Sequence, residues 1–191
     1  TERRGEMKAV LISIQPKWCE MIASGKKTIE VRKTRPNIKT PFKCYIYMTA
    51  TKERCRFWEY ITAYQNSKGD ILNGSQKVIG EFVCDDIIVD ERGENADVFS
   101  KYAQLSLVEQ KKYGANKPLF GWHITDLKIY DKPKELGEFS SYGCKIVGDC
   151  CINYDCPNCI DNGWMQPPDC KIDGCYLTRP PQSWCYVEEL E

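Results

Sequence analysis

The hydrophobic period of this chain changes at a glycine. In "QPKWCEMIASG", Trp18, Met21 and Ile22 fall at i, i+3 and i+4, one stripe of a helix. Pro16 suits its first turn, and Gly25 suits the left-handed position past its end. In "KKTIEVRK", directly after, Ile29 and Val31 alternate with Thr28, Glu30 and Arg32, which is the period of a strand. The alternation predicts an apolar face on a core and a polar face toward a cleft or solvent.

The segments around this switch repeat the theme. "KAVLISI" (8–14) is an apolar run short enough for a strand, and "FKCYIYMT" sets Phe42, Cys44, Ile46 and Met48 on one side with Tyr45 and Tyr47 on the other. "RFWEYITAY" reads as a possible helix and "NSKGDILNGSQ" as a loop. "KVIGEFVCDDIIVD" reads as one long strand in which Gly80 marks a bend or bulge. "SLVEQKKYG" carries a capping box, Ser106 with Glu109, and Gly114 is expected to close that helix. "PLFGWHITDLKIYDKP" reads as a further long strand ended by Pro133, and "RPPQSWCYVEEL" as a final one. No internal repeat is visible. Strand, helix, strands, helix, strands is an α+β order that fits a small mixed or antiparallel barrel with helices flanking it.

A chain of 191 residues with 42% hydrophobic and 12% aromatic residues can bury a sizeable core. Its formal net charge is zero, so bulk charge does not draw it to nucleic acid and any anion affinity must be local. The local cluster is at Gly25 to Arg35, where Lys26, Lys27, Arg32, Lys33 and Arg35 face only Glu30. No apolar run approaches the roughly 20 residues that span a bilayer. The start "TERRGEMKAV" lacks the apolar stretch of a signal peptide, and residues 1–6 read as a leader before Met7. A cytoplasmic location is the resulting expectation.

Cysteine usage divides the chain. Of 12 cysteines, Cys19, Cys44, Cys55 and Cys84 are scattered, and the other eight crowd between Cys144 and Cys185. From Ser140 the texture turns to Cys, Gly, Asp, Asn and Pro, which cannot bury a core unaided. In a reducing compartment such crowding reads as metal ligation; in an oxidising one it reads as a disulfide framework. "CPNC" (Cys156, Cys159) and "CKIDGC" (Cys170, Cys175) resemble a zinc knuckle or ribbon, with Cys144, Cys150 and Cys151 as alternate ligands. Four thiolates leave no open position, so such a zinc would be structural. Free or oxidised thiols in a loop are the competing reading.

Several side chains are candidates for a site. Glu30 and Arg32 share a face, and the guanidinium fork of Arg32 can hold an anion twice or brace Glu30. Lys27 offers a mobile ammonium, and Glu30 can accept from the amino group of a base. A plain surface ion pair is the alternative for Glu30 and Arg32. His123, the only histidine, lies beside Gly121 and Thr125, opposite Phe120, Trp122 and Ile124. It can line the cleft as donor or acid/base, or serve as a hydrogen-bonded structural residue. Tyr45, Tyr47, Trp184 and Tyr186 are candidate stacking platforms or core filling, with Trp184, beside Gln182, foremost for stacking.

"GKKTIEVR" (25–32) resembles the G-x-K-x-x-E-x-R pattern of the ASCH family, a branch of the PUA-like barrels. "SIQPKWCEMIASG", "PLFGWHITDLKIYDKP" and "RPPQSWCYVEE" are similar to ASCH proteins of bacteria and their phages. The resemblance spans roughly residues 8 to 135 and the last dozen. It implies a PUA-like mixed β-barrel with flanking helices over residues 7–140 and a C-terminal strand at 179–191 returning to the barrel; the Cys-rich loop module at 141–178 lies outside the resemblance and reads as an insertion. It further implies recognition of RNA or a nucleotide-like ligand between the first helix and the barrel, with Lys27, Glu30 and Arg32 as polar hub and Gln15, His123 and Trp184 in support. Some ASCH relatives hydrolyse the amide of acetylcytidine with a lysine, a threonine three residues on, and a later glutamate. Lys27 matches the lysine and would be the catalytic residue of any hydrolase here. Glu30 occupies the threonine position, and Glu109 is a loose candidate for the glutamate. An anion beside Lys27 is expected to raise its pKa and blunt it as a nucleophile. A protein-interaction module that uses the Cys-rich face is a third reading.

Overall fold

The computed structural model describes residues 8–50, 62–142, 146–147, 150–151 and 176–190. In chain order these form β1 (Lys8–Ile14), α1 (Pro16–Ala23), β2 (Ile29–Arg32), β3 (Phe42–Met48), β4 (Ala63–Gln65), β5 (Ile71–Asn73), β6 (Lys77–Cys84) and β7 (Ile87–Asp90). Then follow α2 (Ala96–Tyr102), α3 (Leu107–Gly114), β8 (Leu119–His123), β9 (Thr125–Lys134), a 3-10 turn (Leu136–Glu138), β10 (Ile146–Val147), β11 (Cys150–Cys151) and β12 (Trp184–Glu188). A five-stranded sheet runs β12-β1-β3-β6-β9, and a three-stranded sheet runs β2-β8-β7. β1 and β3 pair in parallel, and every other pair in these two sheets is antiparallel. The architecture is the mixed α+β barrel expected from the order of elements.

Alternation along the strands fills three apolar regions. Val10, Ile12 and Ile14 of β1 point into the main core with Cys44, Ile46, Phe82, Trp122 and Ile22 of α1. Ala9 and Leu11 point the other way, where Tyr45, Tyr47, Tyr130, Phe139 and Val187 cover the second face. Tyr45 and Tyr47 are therefore buried, at 0% and 3% exposure, and are not stacking platforms. The third region packs Ile29 and Val31 of β2 on Phe99, Ala103 and Leu105 of the α2–α3 corner.

Four boundaries differ from the sequence expectation. "KVIGEFVCDDIIVD" divides at Asp85–Asp86 into β6 and β7, which belong to different sheets. "PLFGWHITDLKIYDKP" divides at Ile124, whose N–H leaves the ladder to bond the Thr28 carbonyl, and Pro133 lies inside β9, an edge strand of its sheet. "NSKGDILNGSQ" holds β5, which pairs with β4 as a hairpin. Ala115, at φ 47, takes the left-handed cap of α3, with Gly114 as the last helical residue. The Ser106–Glu109 capping box forms as expected. Gly80 sits at a bulge, where the β6–β9 register shifts and an added Cβ would meet the Lys128 carbonyl at 2.5 Å. The helix expected over "RFWEYITAY" falls on residues outside the described set, except Thr62 at its turn and Ala63 and Tyr64 in β4.

At the far end the chain returns along β1, with Ile12 opposite Trp184 and Lys8 opposite Glu188. Short contacts close the path there: Ser140 bridges Tyr176, Ser141 bridges Val187, and the Leu177 N–H bonds the Phe139 carbonyl at 2.8 Å. No helix among the described residues is long and apolar enough to cross a membrane.

Candidate functional site

Gly25 delivers the first member of the cluster. Its φ of +73° is costly for other residues, and an added Cβ would meet nothing within 4 Å, so the glycine serves the torsion and not the space. The chain reverses there, the Lys27 N–H bonds the Met21 carbonyl, and the Thr28 N–H bonds the carbonyl of Tyr102 at the end of α2. β2 then runs antiparallel to β8, with Glu30 opposite Trp122 and Arg32 opposite Phe120. Since Trp122 belongs to the main core, the polar face of β2 turns inward. That face is not solvated: Lys27, Glu30 and Arg32 are 3%, 5% and 8% exposed.

The three side chains converge. Glu30 Oε2 lies 3.4 Å from Lys27 Nζ, and Glu30 Oε1 lies 3.0 Å from Arg32 Nη2. Lys27 Nζ donates to the Ala103 carbonyl at 2.7 Å, and Arg32 Nη2 donates to the Ser13 carbonyl at 2.6 Å. The group is therefore a buried ion triad and not the surface pair that charge pattern alone allows. Arg32 Nε and the indole nitrogen of Trp122 are buried without a hydrogen-bond partner. Both are donors only, and they sit on neighbouring strands of one sheet. The cluster holds two cations and one anion.

Its surroundings are aromatic and cationic. Lys27 lies 5.0 Å from the Trp18 ring centroid and Lys17 lies 4.4 Å from the same ring. Lys33 lies 4.8 Å from Tyr113, and Arg35 lies 6.0 Å from Phe120. Such pairings hold cations in place without neutralising them. Burial pushes the Tyr113 hydroxyl up, while the neighbouring Arg32 pulls it back. Burial also pushes the Cys19 thiol well up, with Glu30 adding to the effect, so Cys19 is an inert thiol beside the triad. Lys27 moves down from the ordinary lysine value, because desolvation outweighs the raising influence of Glu30. The expectation that Glu30 would leave Lys27 with a raised pKa is thus corrected: burial dominates.

The supporting residues are scattered. Gln15 is exposed at the N-cap of α1, where its carbonyl accepts from the Trp18 and Cys19 N–H groups. Trp184 donates through its indole nitrogen to Thr34 Oγ1 at 3.0 Å and packs its ring 6.1 Å from Trp122, one residue removed from the triad. His123 pairs in register with Ile29, so it lies on the opposite face of the sheet from Glu30 and Trp122. There its Nδ1 lies 2.7 Å from Asp85 Oδ1. Glu109 is also apart, capping α3 and lying 3.9 Å from Lys17. Sequence reasoning did not find Ser13, Ala103 and Tyr113 as parts of the cluster. Two of these act through backbone carbonyls, which leave no residue signature. Trp18 was visible as a helix-stripe neighbour of the motif, whereas Cys19 was read only as one of the scattered cysteines.

The expected zinc ligands Cys156, Cys159, Cys170 and Cys175, and the alternate Cys144, lie outside the described residues. Cys150 and Cys151 are described only as backbone of β11. Among the described residues no group of three or more His, Cys, Asp or Glu side chains could hold a metal ion.

A sequence model of the ASCH domain matches residues 12–134. No curated protein matches the chain. Among solved structures, the chain is similar to a crystal structure of ASCH from Zymomonas mobilis, with 20% identity, 67% of this chain and 73% of that chain covered, and a TM-score of 0.49. A serine-to-alanine variant of the same Zymomonas mobilis protein gives 21% identity, 69% and 76% coverage, and a TM-score of 0.47.

Proposed function

The chain belongs to the ASCH domain family, and on that premise we propose that it binds RNA or a nucleotide-like ligand through Lys27, Glu30 and Arg32. The observation that supports this is a buried triad with one cation in excess and a partner-free Arg32 Nε. A buried uncompensated charge is costly, and a barrel has no packing reason to keep one where apolar residues would serve. Cations held over the part-buried rings of Trp18, Tyr113 and Phe120 bring positive charge and aromatic surface together, the combination that single-stranded nucleic acid favours. Lys27→Ala and Arg32→Ala should each weaken binding of short RNA and shallow its salt dependence by about one unit of slope. RNA affinity untouched by both substitutions, in variants that melt as folded proteins, removes the reading.

A second reading, a hydrolase of acylated nucleosides, draws support from the lowered pKa of Lys27, which leaves more free amine near neutrality than an exposed lysine has. Against it stands Glu30 in place of a hydroxyl. Incubation with a panel of acylated nucleosides, read by mass spectrometry, should show a deacylated product that Lys27→Ala abolishes.

A further inference from the structure

We infer that the group this cluster takes is an oxyanion, the phosphate of a nucleotide or of RNA, and not the amino-bearing edge of a base. The inference rests on the binding reading above and specifies its chemistry.

The argument is a census of donors and acceptors. Glu30 is the only acceptor side chain of the triad, and each of its oxygens already faces a cation, Lys27 at Oε2 and Arg32 at Oε1. The donors are in surplus. An ammonium has three N–H groups and a guanidinium five. Against these stand Glu30, two backbone carbonyls, of Ala103 and Ser13, and the Tyr113 hydroxyl beside Arg32. Arg32 Nε has no partner, and neither does the Trp122 indole nitrogen in the strand beside it. An incoming amino group would add donors to a site already short of acceptors. An oxyanion brings several acceptors and a negative charge, so its bonds to Lys27 and Arg32 would pair opposite charges, which the carbonyls now holding them do not. The excess cation and the surplus donors point to the same ligand by separate routes, one electrostatic and one geometric.

Calorimetric titration of the full chain with four probes tests this: inorganic phosphate, a nucleoside 5′-monophosphate, the same nucleoside unphosphorylated, and a 5′-hydroxyl oligoribonucleotide. Phosphate and monophosphate should bind, with the nucleoside at least ~10-fold weaker than its monophosphate. Preference for the monophosphate over the oligonucleotide assigns a terminal phosphate; the reverse assigns the backbone diester. Arg32→Lys, which keeps the charge but loses Nε and the fork, should weaken the monophosphate about 10-fold. Lys68→Ala, at the distant Lys68–Asp131 pair, should leave it unchanged. Glu30→Gln separates the alternatives by sign: it should tighten an oxyanion on the order of 10-fold by removing a nearby negative charge, and weaken a base held through its amino group. Should Glu30→Gln not fold, the wild-type ratio of monophosphate to nucleoside decides. Equal binding of nucleoside and monophosphate overturns the oxyanion and leaves RNA binding at the triad standing. RNA binding that ignores Lys27→Ala and Arg32→Ala overturns the binding reading itself.

Discussion

Two of the lysine–glutamate groups on this barrel differ in how far water is excluded. Around Lys27 the side chains are 3–10% exposed, and the charges sum to one excess cation. On the outer face of the five-stranded sheet, Lys43 lies 2.6 Å from Glu189 and 3.9 Å from Glu81, with side-chain exposures of 18–26% and one excess anion. There Tyr130 donates its hydroxyl to Glu81 at 2.5 Å, and the Leu190 N–H bonds the Tyr45 hydroxyl at 2.8 Å. Together these contacts bind the last residues to the sheet. Burial and Glu81 push the Tyr130 hydroxyl well up, so it remains a donor through any ordinary pH. The outer group keeps water within reach of each charge and serves as a fastening. The inner group is nearly sealed from water, with one excess cation and a buried Arg32 Nε that has no partner. Composition is similar in the two; desolvation separates them.

That contrast predicts a graded series. Glu30→Ala should cost about 3–5 kcal/mol in chemical denaturation, since it leaves two cations buried without their carboxylate. A loss under 1 kcal/mol would mean that water reaches the triad. Lys27 should give a pH signature. Because its folded pKa lies below the ordinary 10.5, the unfolded chain holds a proton that the folded chain has released in the alkaline range just under that value. Stability therefore rises with pH there, as the charge that burial penalises is lost. The effect should vanish in Lys27→Met, and unfolding curves at several pH values, wild type minus variant, measure it; a flat difference contradicts desolvation. Tyr130→Phe should cost about 1 kcal/mol, the net worth of a hydrogen bond in a half-wet setting, measured by thermal melting. Glu189→Gln should cost under ~1 kcal/mol and fade further in high salt. Should Glu189→Gln rival Glu30→Ala, the distinction between the two groups collapses.

What could be read ahead of the structure follows the same line. The convergence of Lys27, Glu30 and Arg32 was legible, because spacing along a strand and a glycine turn are local facts. Their burial was not, because the cover comes from Ala103 and Tyr113, far along the chain in the α2–α3 corner. Tyr45 and Tyr47 misled for a related reason: alternation separates the two faces of a strand but does not say that both are covered, and Phe139 and Val187 cover the second. The break at Ile124 was hidden because an apolar residue sits at the junction itself, whereas the one at Asp85–Asp86 carried a signal, a pair of aspartates within a strand run, that could have been weighed. His123 alternated as expected, but alternation could not say which face of its sheet meets the first helix.

The joins at Ser140–Tyr176 and Phe139–Leu177 have a practical consequence for protein engineers. The chain departs from the sheet and re-enters it at adjoining points, with Ser140 bridged to Tyr176 and the Leu177 N–H bonded to the Phe139 carbonyl. Splicing those points together with a few glycines would stretch nothing, and the conformational entropy of a shorter tether changes only slowly with its length.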